Sequence, residues 1–178
     1  MIKAFIIAAI TADGFIAENN NEPSTAWTSK ADKKFFIART KEAGVMVMGQ
    51  TTYNTIGWPL PGRLNIVYSF EAAKRNAANK VDHKELRFTD LSPAQLLKEL
   101  EQEGYQELAI CGGSSIYTMF LKAGLVDTIY LTMEPKLFGQ GIKLFNDKLK
   151  ADLELKTVKN LDEKVVLLEY QVKNGGNH

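Results

Sequence analysis

The sequence predicts an α/β fold: a single-domain three-layer sandwich with a mainly parallel central sheet, helices on both faces and an antiparallel strand pair at the C-terminus. Three observations carry that prediction. Short apolar runs of strand length alternate with segments of helical spacing from residue 4 to residue 133. Two of those runs, 45–48 and 107–111, stop at glycine and lead into helix starts rich in hydroxyl side chains. The last two runs, 153–159 and 164–172, are joined by a short polar turn at 160–163, which suits antiparallel neighbours. No repeat and no linker interrupts the chain, so residues 1–173 are expected to form one domain and 174–178 a disordered tail.

Residues 4–10 are a continuous apolar run, and Asp13-Gly14 supplies a turn. A single lysine precedes the run, so it reads as a buried first strand rather than a signal peptide. Residues 18–25, polar and holding Pro23 and three consecutive asparagines, predict a mobile loop before Trp27. A helix is expected from Ser29, because Ser29 and Asp32 stand at capping-box spacing, and it runs towards Thr40 before the break at Gly44. Residues 45–48 form a short strand, 51–56 one or two helical turns, Pro59-Leu60-Pro61-Gly62 a rigid turn and 64–68 a further strand. A polar helix follows at 71–79 and a strand near 85–88. Ser92-Pro93-Ala94-Gln95 unites an N-cap serine, proline at the first helical position and glutamine three residues after the cap; Leu96, Leu97 and Leu100 mark the buried face. The strand at 107–111 leads to a helix at 114–122 closed by Gly124, and a strand at 127–133 follows.

Composition removes several classes of function. The 178 residues carry a net charge of +1, and lysine and arginine are scattered, which is not the footprint of a nucleic-acid binder. No stretch approaches the roughly 20 apolar residues of a membrane span. Cys111 is the single cysteine, and His83 and His178 are the two histidines, so neither an intramolecular disulfide nor a Cys/His metal cluster can form and no metal is expected. A lone cysteine fits a reducing compartment, and a cytoplasmic location is expected.

Open α/β sheets bind ligands beyond the carboxyl ends of their strands, and three strand ends here suit a dinucleotide. In Val47-Met48-Gly49-Gln50-Thr51-Thr52 a buried strand stops at glycine, and the following helix start offers free amides to phosphate; a threonine-capped turn is the alternative. In Ile110-Cys111-Gly112-Gly113-Ser114-Ser115 two glycines permit close approach of a pyrophosphate, short of a full Gly-x-Gly-x-x-Gly pattern; a tight turn explains them equally well. Ser69 ends the third strand, with Lys74 and Arg75 following as reach towards a 2′-phosphate or as a solvated helix face.

Asp32 is the principal acid. With Phe35, Phe36 and Arg39 it falls at spacings of three, four and seven, so the four are expected to share one helix flank. An acid beside phenylalanines can bind a flat amidine-like heterocycle through charge-supported hydrogen bonds, or Asp32 can simply complete the cap begun by Ser29. Arg63, held by the preceding Pro-Leu-Pro-Gly, offers a rigid guanidinium fork to a carboxylate, or is a surface arginine after a turn. Cys111 reads as inert core, and Met46 and Met48 as packing.

Trp27, Asp32, Phe36, Val47-Met48-Gly49-x-x-Thr52, Ile56-Gly57-x-Pro59-Leu60-Pro61-Gly62-Arg63-x-Asn65-Ile66-Val67 and Gly112-Gly113-x-x-x-Tyr117 together resemble bacterial dihydrofolate reductase. The resemblance covers most of the chain and implies NADPH as hydride donor and dihydrofolate as acceptor, with the chain a monomer or homodimer. It implies that Asp32 binds the pterin, that Thr132 supports it, and that Trp27 belongs to the catalytic set. Ile7, Ala8, Ala9, Ile56, Phe36 and Tyr117 would line the substrate pocket, and Arg63 would clamp the glutamate carboxylate. Ala9, Ile16, Gly49, Gln50, Thr51, Thr52, Ser69, Cys111, Gly112, Gly113, Ser114, Ser115 and Ile116 would contact the cofactor, and the loop at 16–27 would cover the nicotinamide. Gln50 and Ser115 stand where the family carries arginines, and Lys33 where it carries an apolar residue. Two segments, Asp13-Gly14-Phe15-Ile16-Ala17 and the run from Pro135 through Gly139-Gln140-Gly141 to Phe145, are instead similar to the reductase domain of riboflavin biosynthesis. That resemblance implies a stand-alone reductase of a ribosylamino-pyrimidine phosphate as the alternative.

Overall fold

The computed structural model describes residues 1–79 and 85–173; the tail expected at 174–178 lies outside the described residues. The first strand, β1 (Lys3–Thr11), is followed by a three-residue strand, β2 (Phe15–Ala17), and then by α1 (Lys30–Ala43). Next come β3 (Val45–Gly49), α2 (Gln50–Ile56), β4 (Leu64–Tyr68), α3 (Ala72–Asn79) and β5 (Leu86–Thr89). The order continues with α4 (Pro93–Gln102), β6 (Glu107–Ile110), α5 (Ser114–Lys122), β7 (Thr128–Glu134), β8 (Ile142–Lys143), β9 (Asp152–Asn160) and β10 (Val166–Lys173).

Among the described residues, eight of the strands make one sheet in the order β5-β4-β3-β6-β1-β7-β10-β9. The neighbours from β5 through β7 are parallel, whereas β10 runs antiparallel to β7 and to β9. The period-two alternation of the strands divides the core between the two faces. Ile6, Val47, Ile66 and Ile110 meet Leu96, Leu100 and Phe120 from α4 and α5 on one face. Phe5, Ile7, Met46, Met48 and Val67 meet Phe35, Phe36 and Ala72 from α1 and α3 on the other. The predicted mainly parallel sheet with helices on both faces and an antiparallel C-terminal pair is the architecture found.

Helix ends follow the local chemistry. Ser29 caps α1 by accepting the Asp32 N–H, and the helix stops at Gly44, whose φ of 74° is the left-handed conformation that glycine adopts without strain. The cap of α4 is a complete capping box between Ser92 and Gln95. The β2–β8 pair, absent from the sequence reading, joins residues more than a hundred positions apart. Strands of three and two residues leave no alternation to detect. No helix among the described residues is long and apolar enough to cross a membrane.

Candidate active site

The parallel strands β1, β3, β4 and β6 end along one rim, and a cleft of about 2160 Å³ opens there. That is larger than the roughly 300–1,000 Å³ of a single small-ligand pocket, so it has room for two ligands together. Its wall contains Ile7, Ala8, Ala9, Ile16, Asp32, Phe36, Gly49, Gln50, Thr51, Thr52 and Ile56, together with Ser69 and every residue from Cys111 to Tyr117. Every residue expected to touch substrate or cofactor is therefore in this wall apart from Arg63; Trp27 and Thr132, expected in the catalytic set, also stand behind it.

The glycine-lined end is tied together by backbone bonds. The Gly49 N–H donates to the Gly112 carbonyl at 2.8 Å and the Cys111 N–H to the Val47 carbonyl at 2.8 Å, so the ends of β3 and β6 lie side by side. Gly112 has a φ of 109°, and a Cβ there would press on the Tyr117 hydroxyl at 3.1 Å. A Cβ on Gly49 would come within 3.2 Å of Ile116. The site thus keeps bare backbone at the start of α5, and these residues would fit a dinucleotide phosphate. Two of the expected side chains are already engaged: the Ser114 hydroxyl donates to the Lys143 carbonyl, and Ser115 accepts from the Asn146 amide at 2.9 Å. At the far end Arg75 faces the cleft, whereas Lys74 is 82% exposed and outside its wall. Cys111 is half-buried in the wall, and burial pushes its thiol well above the ordinary value, so it is not a thiolate at neutral pH.

At the other end α1 presents Asp32, Lys33 and Phe36. Phe35 and Arg39, expected on the same helix flank, also face the sheet but stand outside the cleft wall. Phe35 turns to Tyr130, with ring centroids 5.7 Å apart. Arg39 lies 3.9 Å above the Phe5 ring and forks onto Glu107 at 2.8 and 2.9 Å. The sheet surface under α1 carries an aromatic face and an acid, and the guanidinium satisfies both.

The structure also separates the two readings of Asp32. Its N–H completes the Ser29 cap at 3.0 Å, but the Ser29 N–H that a capping box would give to its carboxylate goes to Glu134 at 2.8 Å, so the carboxylate, facing the Thr132 and Thr28 side chains, is not spent on the helix end. Burial raises its pKa above 3.8, the two threonines act against that rise, and the neighbouring Glu134 carboxylate adds to it. Thr28 and Glu134 were missed in the sequence. Glu134 was within reach of it, because it lies two residues beyond Thr132 and so on the same face of β7.

Behind the wall, Trp27 packs edge-on against Phe138, centroids 5.2 Å apart, and its indole N–H has no acceptor among the described residues. Arg63 is 4% exposed; Nη1 donates to the Ile37 carbonyl at 3.1 Å and Nε–H has no acceptor among the described residues. The surface-arginine reading is thereby corrected, since the rigid turn drives the side chain inward beneath α1. The exposed Trp58 and Phe70, not foreseen as site residues, also border the cleft.

A mainly parallel sheet with helices on both faces, glycine-lined strand ends and a buried acid in one cleft define an α/β domain with a ligand site at its strand ends. Residues 3–160 match the dihydrofolate reductase family, and the chain belongs to that family. It is 34% identical over 127 residues to dihydrofolate reductase type 3 of Salmonella typhimurium, covering 71% of this chain and 68% of that one. It is 30% identical over 132 residues to dihydrofolate reductase type 9 of Escherichia coli, covering 74% and 70%. Among solved structures, a pyrimidine reductase-like protein of Corynebacterium diphtheriae shares the fold with a TM-score of 0.77 at 16% identity, over 98% of this chain and 93% of that one.

Proposed function

We propose that this chain reduces 7,8-dihydrofolate to tetrahydrofolate with NADPH by direct hydride transfer. The observation that carries the reading is the Asp32 carboxylate, buried in the cleft wall, facing Thr132 and Thr28 and free of the helix cap, whose Ser29 N–H goes to Glu134. A carboxylate so fixed accepts the paired N–H donors of a pterin's amidine edge, while Phe36 offers a ring to stack on. When bound, the nicotinamide supplies the hydride. The protein's share is to hold the heterocycle in one orientation, keep water out with the apolar Ile7, Ala8 and Ile56, and favour the protonated form of the substrate near Asp32.

Asp32→Asn tests this. The amide keeps the shape and loses the charge, so kcat/KM for dihydrofolate near neutral pH should fall at least ~100-fold, about 2.7 kcal/mol at the barrier. The deficit should shrink towards pH 5, where solvent protonates the substrate without the carboxylate's help. Equal activity of the two proteins at pH 7 would return Asp32 to the helix cap.

Lys33 favours a second reading. Its side chain lies in the cleft wall near the Asp32 carboxylate, and an ammonium there suits the phosphate of a ribosylamino-pyrimidine. The β2–β8 pair, built from the two segments that resemble the riboflavin-biosynthesis reductase domain, borders the same cleft.

A further inference from the structure

Among the described residues β9 is one edge of the sheet, with β10 its single neighbour. The other edge, β5, has four residues; β9 has nine, with no proline to close its outer hydrogen-bonding side. Between Leu155 and Thr157 the pairing with β10 skips Lys156, a bulge of one residue. That bulge sets the phase of the strand. Leu153, Leu155 and Val158 pair with Val172, Tyr170 and Leu168, which alternate along β10, so all six share one face. Without the extra residue Val158 would fall on the opposite face. Tyr170 and Val172 pack against the core under α4 and α5, but Leu153, Leu155 and Val158 are 43%, 50% and 58% exposed.

Edges are commonly guarded by a charge on the face that would be buried. Here that face is apolar along the strand, and the charges stand elsewhere, acids first and bases last: Asp152 and Glu154, then Lys156 in the bulge and Lys159. Glu154 is spent within the chain, on Lys156 and Lys173, both at 2.7 Å. Asp152 and Lys159 have no ion-pair partner among the described residues.

We propose that β9 is the interface between two copies of this chain, paired edge to edge and antiparallel across a two-fold axis at the Lys156 bulge. With the bulge counted as one position, Asp152 faces the partner subunit's Lys159, Leu153 faces the partner subunit's Val158, and Glu154 faces the partner subunit's Thr157. Each pairing joins residues of the same face and occurs twice by symmetry. The two charges without a partner in the chain thereby become each other's partners. A register shifted by one residue would set the apolar side chains against the charged ones. It is this self-complementarity that selects a second copy as the occupant, and the pairing would join the two eight-stranded sheets into one. The assembly stands apart from the reductase reading.

Sedimentation of the full chain and of two charge reversals tests the pairing. The parent should sediment as a dimer in the micromolar range. Asp152→Lys opposes base to base in both symmetric pairs and Lys159→Asp opposes acid to acid, so each alone should raise the dimer dissociation constant at least about tenfold. Mixed in equal amounts, the two variants regain opposite charges at both pairs and should form a heterodimer of nearly parental affinity. Leu155→Lys, at an exposed site beside the two-fold axis, should leave the chain folded and monomeric. Should a reversal variant fail to fold, Leu155→Lys decides alone. A parent that is monomeric throughout the micromolar range, a dimer indifferent to Leu155→Lys, or reversal variants that do not recover on mixing would each overturn the interface.

Discussion

Asp32 and Arg63 are opposite charges withdrawn from water on the same side of the sheet, and neither has an ion-pair partner among the described residues. For Arg63, burial lowers the guanidinium's pKa below its ordinary value, yet it stays charged across any working pH. For Asp32 the consequence is thermodynamic. Its folded pKa lies above the unfolded value near 3.8, chiefly through burial. The stability it contributes is therefore full below the unfolded pKa and is lost as pH rises through the folded one. Asp32→Asn, which cannot ionise, should melt higher than the parent at pH 7, and the gap should close as pH falls below 4. In a domain of this size each kcal/mol of relief reads as roughly 2–4 °C. Thermal unfolding of both proteins across that range checks the sign, and a variant less stable at pH 7 would contradict it. The same substitution that removes activity should thus stabilise the fold, as expected of a charge kept buried for chemistry rather than for packing.

Individual elements differ in how plainly the sequence announces them. The start of α4 was legible because Ser92, Pro93 and Gln95 act within one turn, and β4 because its apolar run stops at the Pro-Gly turn before it. The cap of α1 was legible only in part, since Ser29–Asp32 spacing reports a backbone bond and says nothing about where the carboxylate goes. It faces Thr132, a hundred residues later in the chain. β2 and β8 were not legible at all, because their pairing depends on two distant loops folding onto the rim of the sheet. Gly141 in the turn before β8 is the position where this matters most. A Cβ there would stand inside the van der Waals shell of the Ala17 carbonyl oxygen, a backbone atom that cannot swing away. Gly141→Ala should therefore part β2 from β8 and loosen the Ser114–Lys143 contact. The expected result is about a tenfold weaker NADPH dissociation constant, ~1.4 kcal/mol, with little change in the global melting temperature. Fluorescence titration beside a melting curve separates that outcome from general unfolding.

At the scale of the molecule, the sheet order places β1, β3, β4 and β6 so that Ala9, Gly49, Ser69 and Gly112 reach one cleft from across the first two thirds of the chain. Strand runs and glycine ends made that convergence legible, because parallel strands joined by helices must end on the same side. What the pattern could not distinguish is the substrate, since a pterin with a carboxylate tail and a pyrimidine with a phosphate would use the same acid and the same rim. The most direct measurement is NADPH consumption by the purified protein at pH 7 with dihydrofolate, run beside the same assay with the ribosylamino-pyrimidine phosphate. The account predicts a kcat/KM for dihydrofolate at least ~100-fold above that for the pyrimidine, a difference of about 2.7 kcal/mol in transition-state binding. Turnover of the pyrimidine phosphate with none of dihydrofolate would contradict it and assign the cleft to the second substrate.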